Sequence, residues 1–246
     1  MNSTPDDVAR EARLIVRGAL KGALATNRRA AHPHAQGQPY VSKVGVAADQ
    51  SGAPVFLFST LAAHTQDLLA DPRASLLVEA PTTASNPLEG ARCTLVGRVD
   101  VLSGFKADTA RTIYLTRHPG AAQYAGFGDF ALWRMQVEKV HYVGGFGRAK
   151  WVKGTVYATF APDLAAAEPD LLEGLNGKKS EDICALAAHA TGGSRRGWRV
   201  VGLDADGFYL CNTKGASLRI DFASTAHDIR SWKSRFQTML RRVRAK

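Results

Sequence analysis

The sequence predicts an α+β chain in two parts: a small antiparallel β-barrel with flanking helices over residues 1–158, and a smaller α+β domain over 159–246. Three observations carry this expectation. Short β-type runs recur at about 23–28, 40–48, 55–60, 74–80, 91–103 and 131–144, joined by turn signals and interrupted by few helices. Near 155–163 the pattern changes to a long helical stretch, a hairpin and a last amphipathic helix with its own apolar set. With 45% hydrophobic and 22% charged residues among 246, the chain has the material for packed cores.

Residues 3–22 read as an amphipathic helix. Ser3 or Thr4 caps it, Pro5 suits its first turn, Asp6 and Asp7 favour its positive end, and Val8, Ala12, Ile15, Val16 and Ala19 recur at helical spacing. "RRAAHPHAQGQP", 28–39, is a polar Pro/Gly loop, and "DQSGAP" joins two β-type runs as a hairpin. In "VFLFSTLAAHTQDLLADPRASLL", 55–77, a strand ends in Ser59-Thr60 and passes at once into a helix, Leu61 to Ala70, before Asp71-Pro72 and the next strand. A second helix is expected at about 105–117. Thr155 to Pro169 reads as linker-like. The stretch "PDLLEGLNGKKSEDICALAAHA" reads as a long helix, Asp206-Gly207 as a hairpin turn, and "SLRIDF" as a third strand of the module. The last helix is expected from Ser224, burying Ile229, Trp232, Phe236, Met239 and Val243.

The formal net charge of +10 and pI of about 9.8 admit nucleic acid, anionic lipid or anionic small molecules as partners. Much of the charge lies in the tail, at Arg230, Lys233, Arg235, Arg241, Arg242, Arg244 and Lys246. No aromatics interleave with these bases and no nucleic-acid motif accompanies them, so they read as a solvated helix face. Cys93, Cys184 and Cys211 are odd in number, far apart and without metal-ligand spacing, which fits a reducing cytoplasm. The first residues carry acids and no apolar h-region, so no signal peptide is expected, and no apolar run approaches membrane-spanning length.

The strand-to-helix junction at Ser59-Thr60 has the chemistry of an anion site. A helix start offers unpaired N–H groups and partial positive charge. Ser59 and Thr60 add hydroxyls, His64 and Thr65 follow one turn on, and "PYVSKVG" brings Ser42 and Lys43. Ser59-Thr60 can equally be a simple helix cap, and the two readings are compatible. His32-Pro33-His34 lacks partner ligands and no metal is expected there. His118 reads as a helix C-terminal cap, His141 as a core or cleft residue in a strand, and His227 as part of the first turn of the last helix. No nucleophile elbow or triad is present.

Over residues 10–152, "LATN", "PYVSKVGVAADQSGAPVFLFSTLAAHTQDLLADPRASLL", "RCTLVGRVDVL", "YLTRHPGAAQYAGFGDF" and "VHYVGGFGRAKWV" keep an order and spacing that resembles the FMN-binding split-barrel family related to pyridoxamine 5'-phosphate oxidase. Residues 163–246 resemble the small α+β domain appended to this barrel in haem-utilisation (HugZ-type) proteins. The resemblance implies an antiparallel split β-barrel and a homodimer with its cofactor between subunits. It implies FMN whose phosphate is held by Ser42, Lys43, Ser59, Thr60, His64 and Thr65. Where the family more often has a pair of basic residues, this chain has His64, which leaves Lys43 as the principal charge. Arg148, in the glycine-rich "VGGFGRAKWV", either faces an anionic group, a flavin edge or haem propionate, or lies on the surface at a barrel corner. The implied activity is that of a cytoplasmic flavoprotein oxidoreductase on a small-molecule substrate. Haem binding or degradation is one alternative, a non-enzymatic flavin or ligand carrier another. Pyridoxamine phosphate oxidation itself is not expected, because that enzyme's arginine-rich motif is not recognisable. Against the haem alternative, the family's His-x-Asn-x-x-His pattern keeps only Asn176, with Gly174 and Lys179 at the histidine positions, and no histidine follows His227.

Overall fold

Thr4 begins the fold. In the computed structural model, which describes residues 4–29, 37–145, 148–193 and 196–244, its hydroxyl accepts from the Asp7 N–H at 3.2 Å and the Asp7 carboxylate accepts from the Thr4 N–H at 2.9 Å. This capping box opens α1 (Pro5–Gly18). The helix buries Val8, Ala12 and Val16, and it ends before residue 22 because Lys21 already pairs in the first strand. Arg13 and Arg17 are buried on α1 as well. Arg13 donates to the Tyr157 carbonyl at 2.7 Å, and Arg17 to the carbonyls of Asp49 and Gln50 at 3.0 Å each. The expected polar loop, with His32 and His34, falls mostly outside the described residues.

The chain divides into two compact units, Met1–Ala158 and Thr159–Lys246. The first holds β1 (Lys21–Asn27), β2 (Pro39–Gly45), β3 (Ala47–Ala48), β4 (Pro54–Ser59), α2 (Ala63–Ala70), β5 (Arg73–Glu79), β6 (Arg92–Val101), α3 (Gly104–Arg117), β7 (Phe130–Val143), β8 (Ala149–Lys153) and α4 (Gly154–Tyr157). The strands form one antiparallel sheet, curled into a half-barrel, in the order β2-β1-β5-β6-β7-β4-β3, with β8 on β7. The split-barrel expectation is met. The run expected at 40–48 breaks at Val46, which is buried and bonds Leu20 instead of continuing the strand. The β3–β4 hairpin is held by Asp49, whose carboxylate accepts from the N–H of Ser51 and of Ala53, with Gly52 in the left-handed region at φ 91°.

Register across the sheet sets which side each residue serves. One row of direct partners runs Ser42, Leu24, Leu76, Leu95, Val140, Val152, and every member after Ser42 is buried. The row beside it therefore faces outward. At Val96/Gly97 the β6–β7 register shifts, and a Cβ on Gly97 would meet the Gln136 carbonyl oxygen at 2.0 Å.

The second unit holds α5 (Pro162–Ala166), α6 (Glu168–Lys178), α7 (Ser180–Thr191), β9 (Trp198–Asp204), β10 (Gly207–Asn212), β11 (Ser217–Asp221) and α8 (Ile229–Arg244). Its sheet order is β11-β10-β9. Phe208, Phe222, Trp232 and Phe236 form an aromatic centre, with the Trp232 indole donating to the Asp204 carbonyl at 3.1 Å. Four details differ from expectation. Most of residues 155–169 is folded into α4, α5 and the start of α6, with Tyr157 and Leu164 buried, and the boundary between the units falls after Ala158 within that stretch. The long helix breaks at Lys179. The hairpin turns on Ala205-Asp206, with Gly207 the first strand residue, because a Cβ there would meet the Ile220 carbonyl oxygen at 2.1 Å. The last helix starts at Ile229 rather than Ser224, so His227 precedes it and is exposed.

Gly97→Ala should cost about 1–3 kcal/mol through forced movement of β7 backbone. Gly120→Ala, whose Cβ would meet nothing within 4 Å, should stay within about 0.5 kcal/mol of the parent. Denaturant midpoints measure both, and equal midpoints would remove the close approach from the account.

Candidate functional site

Two places in the first unit concentrate chemistry. The first is where α2 meets β1 and β2. Helix α2 starts at Ala63 after Ala62, with no side-chain cap, so Ser59 and Thr60 do not cap it. The Ser59 hydroxyl donates to the Asp129 carboxylate at 2.6 Å and accepts from the Leu61 N–H at 3.1 Å, while the Thr60 N–H bonds the Asp129 carbonyl at 2.7 Å. Thr60 itself is exposed, and its carbonyl accepts from the Gln66 amide at 2.6 Å. Asp67, fully buried on the same helix, is satisfied by the Thr26 hydroxyl, the Arg29 N–H and Arg28.

Three buried polar atoms near this junction have no hydrogen-bond partner among the described residues: the hydroxyls of Ser42 and Thr65 and Nε2 of His64. Native proteins leave few such groups unpaired, and these three stand on two packed elements, with donors and acceptors that a polar ligand group could meet. His64 also stands edge-on to Phe58, ring centroids 4.5 Å apart. Burial holds its pKa below the ordinary 6.5, against a smaller upward pull from Asp67. Lys43 does not share this pocket side. Adjacent strand residues point to opposite faces, so Ser42 joins the interior row and Lys43 the exterior one.

The exterior row is the second place. Direct partners run Lys43, Ala23, Leu77, Thr94, His141, Trp151 across six strands, about 24 Å at about 4.8 Å per step. The parallel row beside it holds Val41, Ala25, Ser75, Val96, Lys139 and Lys153. Val41 is 61% exposed, Leu77 36% and Trp151 59%, an uncovered apolar face edged by lysines. The His141 ring lies on the Trp151 indole, centroids 4.7 Å apart at 25°, with the Lys139 ammonium 5.3 Å from the indole centre. The His141 ring nitrogens have no hydrogen-bond partner among the described residues.

The remaining expected residues lie elsewhere. Arg148 pairs with Glu11 of α1 at 3.2 Å. Glu11 also accepts from the Tyr142 hydroxyl, whose pKa is raised by burial and by that carboxylate. His118 ends α3, and its Nε2 meets the Val46 carbonyl at 2.9 Å. Cys93 is buried, its thiol pushed up to about 12 by that burial, which makes it a poor nucleophile. Among the described residues no group of three or more metal-ligating side chains could hold a metal ion, and no helix is long and apolar enough to cross a membrane. Sequence reasoning missed Trp151, Lys139 and Leu77. The alternation around His141, with Val140 and Tyr142 buried, was the available signal, but the partner across the strands was not.

Fold and site together define an antiparallel half-barrel with an exposed apolar outer face, followed by a small α+β unit. The chain belongs to the family described as "CREG, beta-barrel", which matches residues 3–159. Over 96% of its length it is 29% identical to "Non-canonical heme oxygenase HOZ, chloroplastic" of Arabidopsis thaliana, covering 73% of that protein. A solved heme binding protein from Mycobacterium smegmatis is 26% identical over the full length of both chains, at TM-score 0.57. Atu2129 of Agrobacterium tumefaciens, of unknown function, is 25% identical over 94% of each chain, at TM-score 0.74.

Burial holds both His64 and His118 below 6.5. The unfolded chain therefore takes up their protons first as pH falls through 6.5, so stability declines below that value and is unaffected by them above it. Thermal unfolding between about pH 7.5 and 5 should show this fall in Tm. His64→Gln should flatten part of the slope; an unchanged slope would exclude His64 as a contributor.

Proposed function

We propose that this chain binds haem on the exterior face of its half-barrel, with His141 as the axial nitrogen donor, and serves oxidative haem breakdown. The observation that carries the reading is the His141–Trp151 stack on an exposed apolar face flanked by Lys139 and Lys153. A porphyrin is an apolar disc with two carboxylates, and its iron takes an imidazole nitrogen. Trp151, Leu77 and Val96 offer apolar surface, the lysines offer cations to the propionates, and the His141 ring nitrogens have no hydrogen-bond partner among the described residues. Bound haem supplies the redox chemistry and the dioxygen site. The chain's own part would be to hold the disc on Trp151 and Leu77, pair its carboxylates with Lys139 and Lys153, offer the His141 imidazole to its iron and limit water at the sheet face.

The names of the Arabidopsis and mycobacterial relatives support haem over the flavin role implied by the split-barrel resemblance. Gly174 and Lys179 stand where the related pattern has histidines, so the donor is sought in the barrel. A second copy of this chain laid on the face, around Val41 and Leu77, would exclude water from the disc; the homodimer belongs to this proposal. In a haem titration, His141→Ala should weaken binding at least about tenfold and change the Soret band, while His227→Ala leaves both alone. Binding indifferent to His141→Ala would overturn the ligand assignment.

The three unpaired atoms at Ser42, His64 and Thr65 favour a second reading, an FMN phosphate at the α2 junction. Thr65→Val should raise the stability of the free chain, by about 1 kcal/mol from removing an unsatisfied hydroxyl, and lower FMN affinity. FMN affinity equal to the parent would end this reading.

A further inference from the structure

The glycine-rich segment between β7 and β8 has no part in the haem proposal, yet it closes the hairpin that carries His141 and Trp151. These two are direct cross-strand partners, and Trp151 lies on β8, a five-residue strand that pairs with β7. A short border strand frays unless its ends are held. At its far end Gly154 follows, where a Cβ would collide with the Val137 carbonyl, so the backbone there runs close against β7. At the turn end the hold comes from α1. The Glu11 carboxylate accepts from the Tyr142 phenol of β7, and one guanidinium nitrogen of Arg148, just before β8, lies 3.2 and 3.3 Å from its two oxygens.

The glycines serve this hold. A Cβ on Gly144 would collide with the Tyr142 phenol oxygen, and Gly145 turns the chain at a φ of 104°. The Gly144 N–H bonds the Arg148 carbonyl at 3.0 Å and the Arg148 N–H the Gly145 carbonyl at 3.3 Å, which brings Arg148 back beside Tyr142. Tyr142 is buried and adjacent to His141. Adjacent strand residues face opposite ways, so the side chain that anchors β7 inside neighbours the one displayed outside. The His141 ring nitrogens have no hydrogen-bond partner among the described residues, so the indole stacked on it at 4.7 Å orients the ring.

We propose that Glu11 is a positioning residue for the outer face: by holding Tyr142 and Arg148 together it fixes β8 on β7, and with it the Trp151 indole on the His141 imidazole. A metal-bound imidazole depends on the groups that orient it. The inference rests on the haem reading for what His141 ligates, and on the hairpin alone for the link from Glu11 to the stack.

The test compares Glu11→Leu, Glu11→Gln and Tyr142→Phe in the full chain. Without haem, NMR reads the His141 ring protons, which the stacked indole shifts upfield. Glu11→Leu and Tyr142→Phe should move them toward free-imidazole positions while the chain stays folded. Glu11→Gln, whose amide oxygen still accepts from the Tyr142 phenol, should keep most of the shift. Tyr142→Phe leaves its ring in the core, so it tests the link even if Glu11→Leu fails to fold. Haem affinity should fall about tenfold in Glu11→Leu. His141 resonances equal to the parent's in both Glu11→Leu and Tyr142→Phe would overturn the proposal. So would a loss of haem affinity with those resonances unmoved. Resonances that answer to Glu11→Leu, in a chain whose haem binding ignores His141→Ala, would remove the haem reading and leave the Glu11 link standing.

Discussion

The half-barrel depends on one constraint, the cross-strand register that places Leu24, Leu76, Leu95, Val140 and Val152 side by side on its inner surface. Side chains alternate along every strand, so this inner row dictates its neighbour. Slipping any one strand by a single residue would turn its buried leucine or valine to solvent and its outer residue into the core. β7 concentrates the constraint, because β4, β6 and β8 all pair with it. The Gly97 irregularity lets β6 and β7 stay paired along their length while the sheet bends. Helix α1 then closes the inner surface, and its two buried arginines tie the helix to the Asp49 hairpin and to Tyr157 by bonds to backbone carbonyls.

The same constraint makes the chemistry two-sided. Ser42 ends the inner row and Lys43 begins the outer one, though the two are adjacent in sequence. A reading that gathers both around one phosphate treats a strand as if its residues shared a face. The structure instead separates an inward cluster of unpaired polar atoms from an outward aromatic and cationic surface.

The strands and the Asp49 hairpin were legible because each is written in local pattern: alternation and turn residues. What was illegible depends on partners distant in sequence. Ser59 looks like a helix cap until Asp129, seventy residues on, takes its hydroxyl. Asp206-Gly207 looks like the turn until β11 is seen to need a residue without a side chain at 207. Trp151 and Leu77 look like core residues in isolation, and only the row of partners shows them facing outward. His141 was visible as a strand residue, but its stack on Trp151 needed the β7–β8 register. In the second unit the aromatic spacing of the last helix was readable, whereas the break at Lys179 follows from how α6 and α7 each pack on β9.

Asn176 deserves a different interpretation from the one its motif suggests. Its side-chain amide accepts from the Val200 N–H and donates to the Val200 carbonyl, both at 2.8 Å. Those are the two backbone groups that β9, an edge strand, would otherwise offer to a further strand. The asparagine thus imitates one residue of a missing neighbour and shields the sheet border from self-association. At this position the side chain serves the sheet border of its own unit.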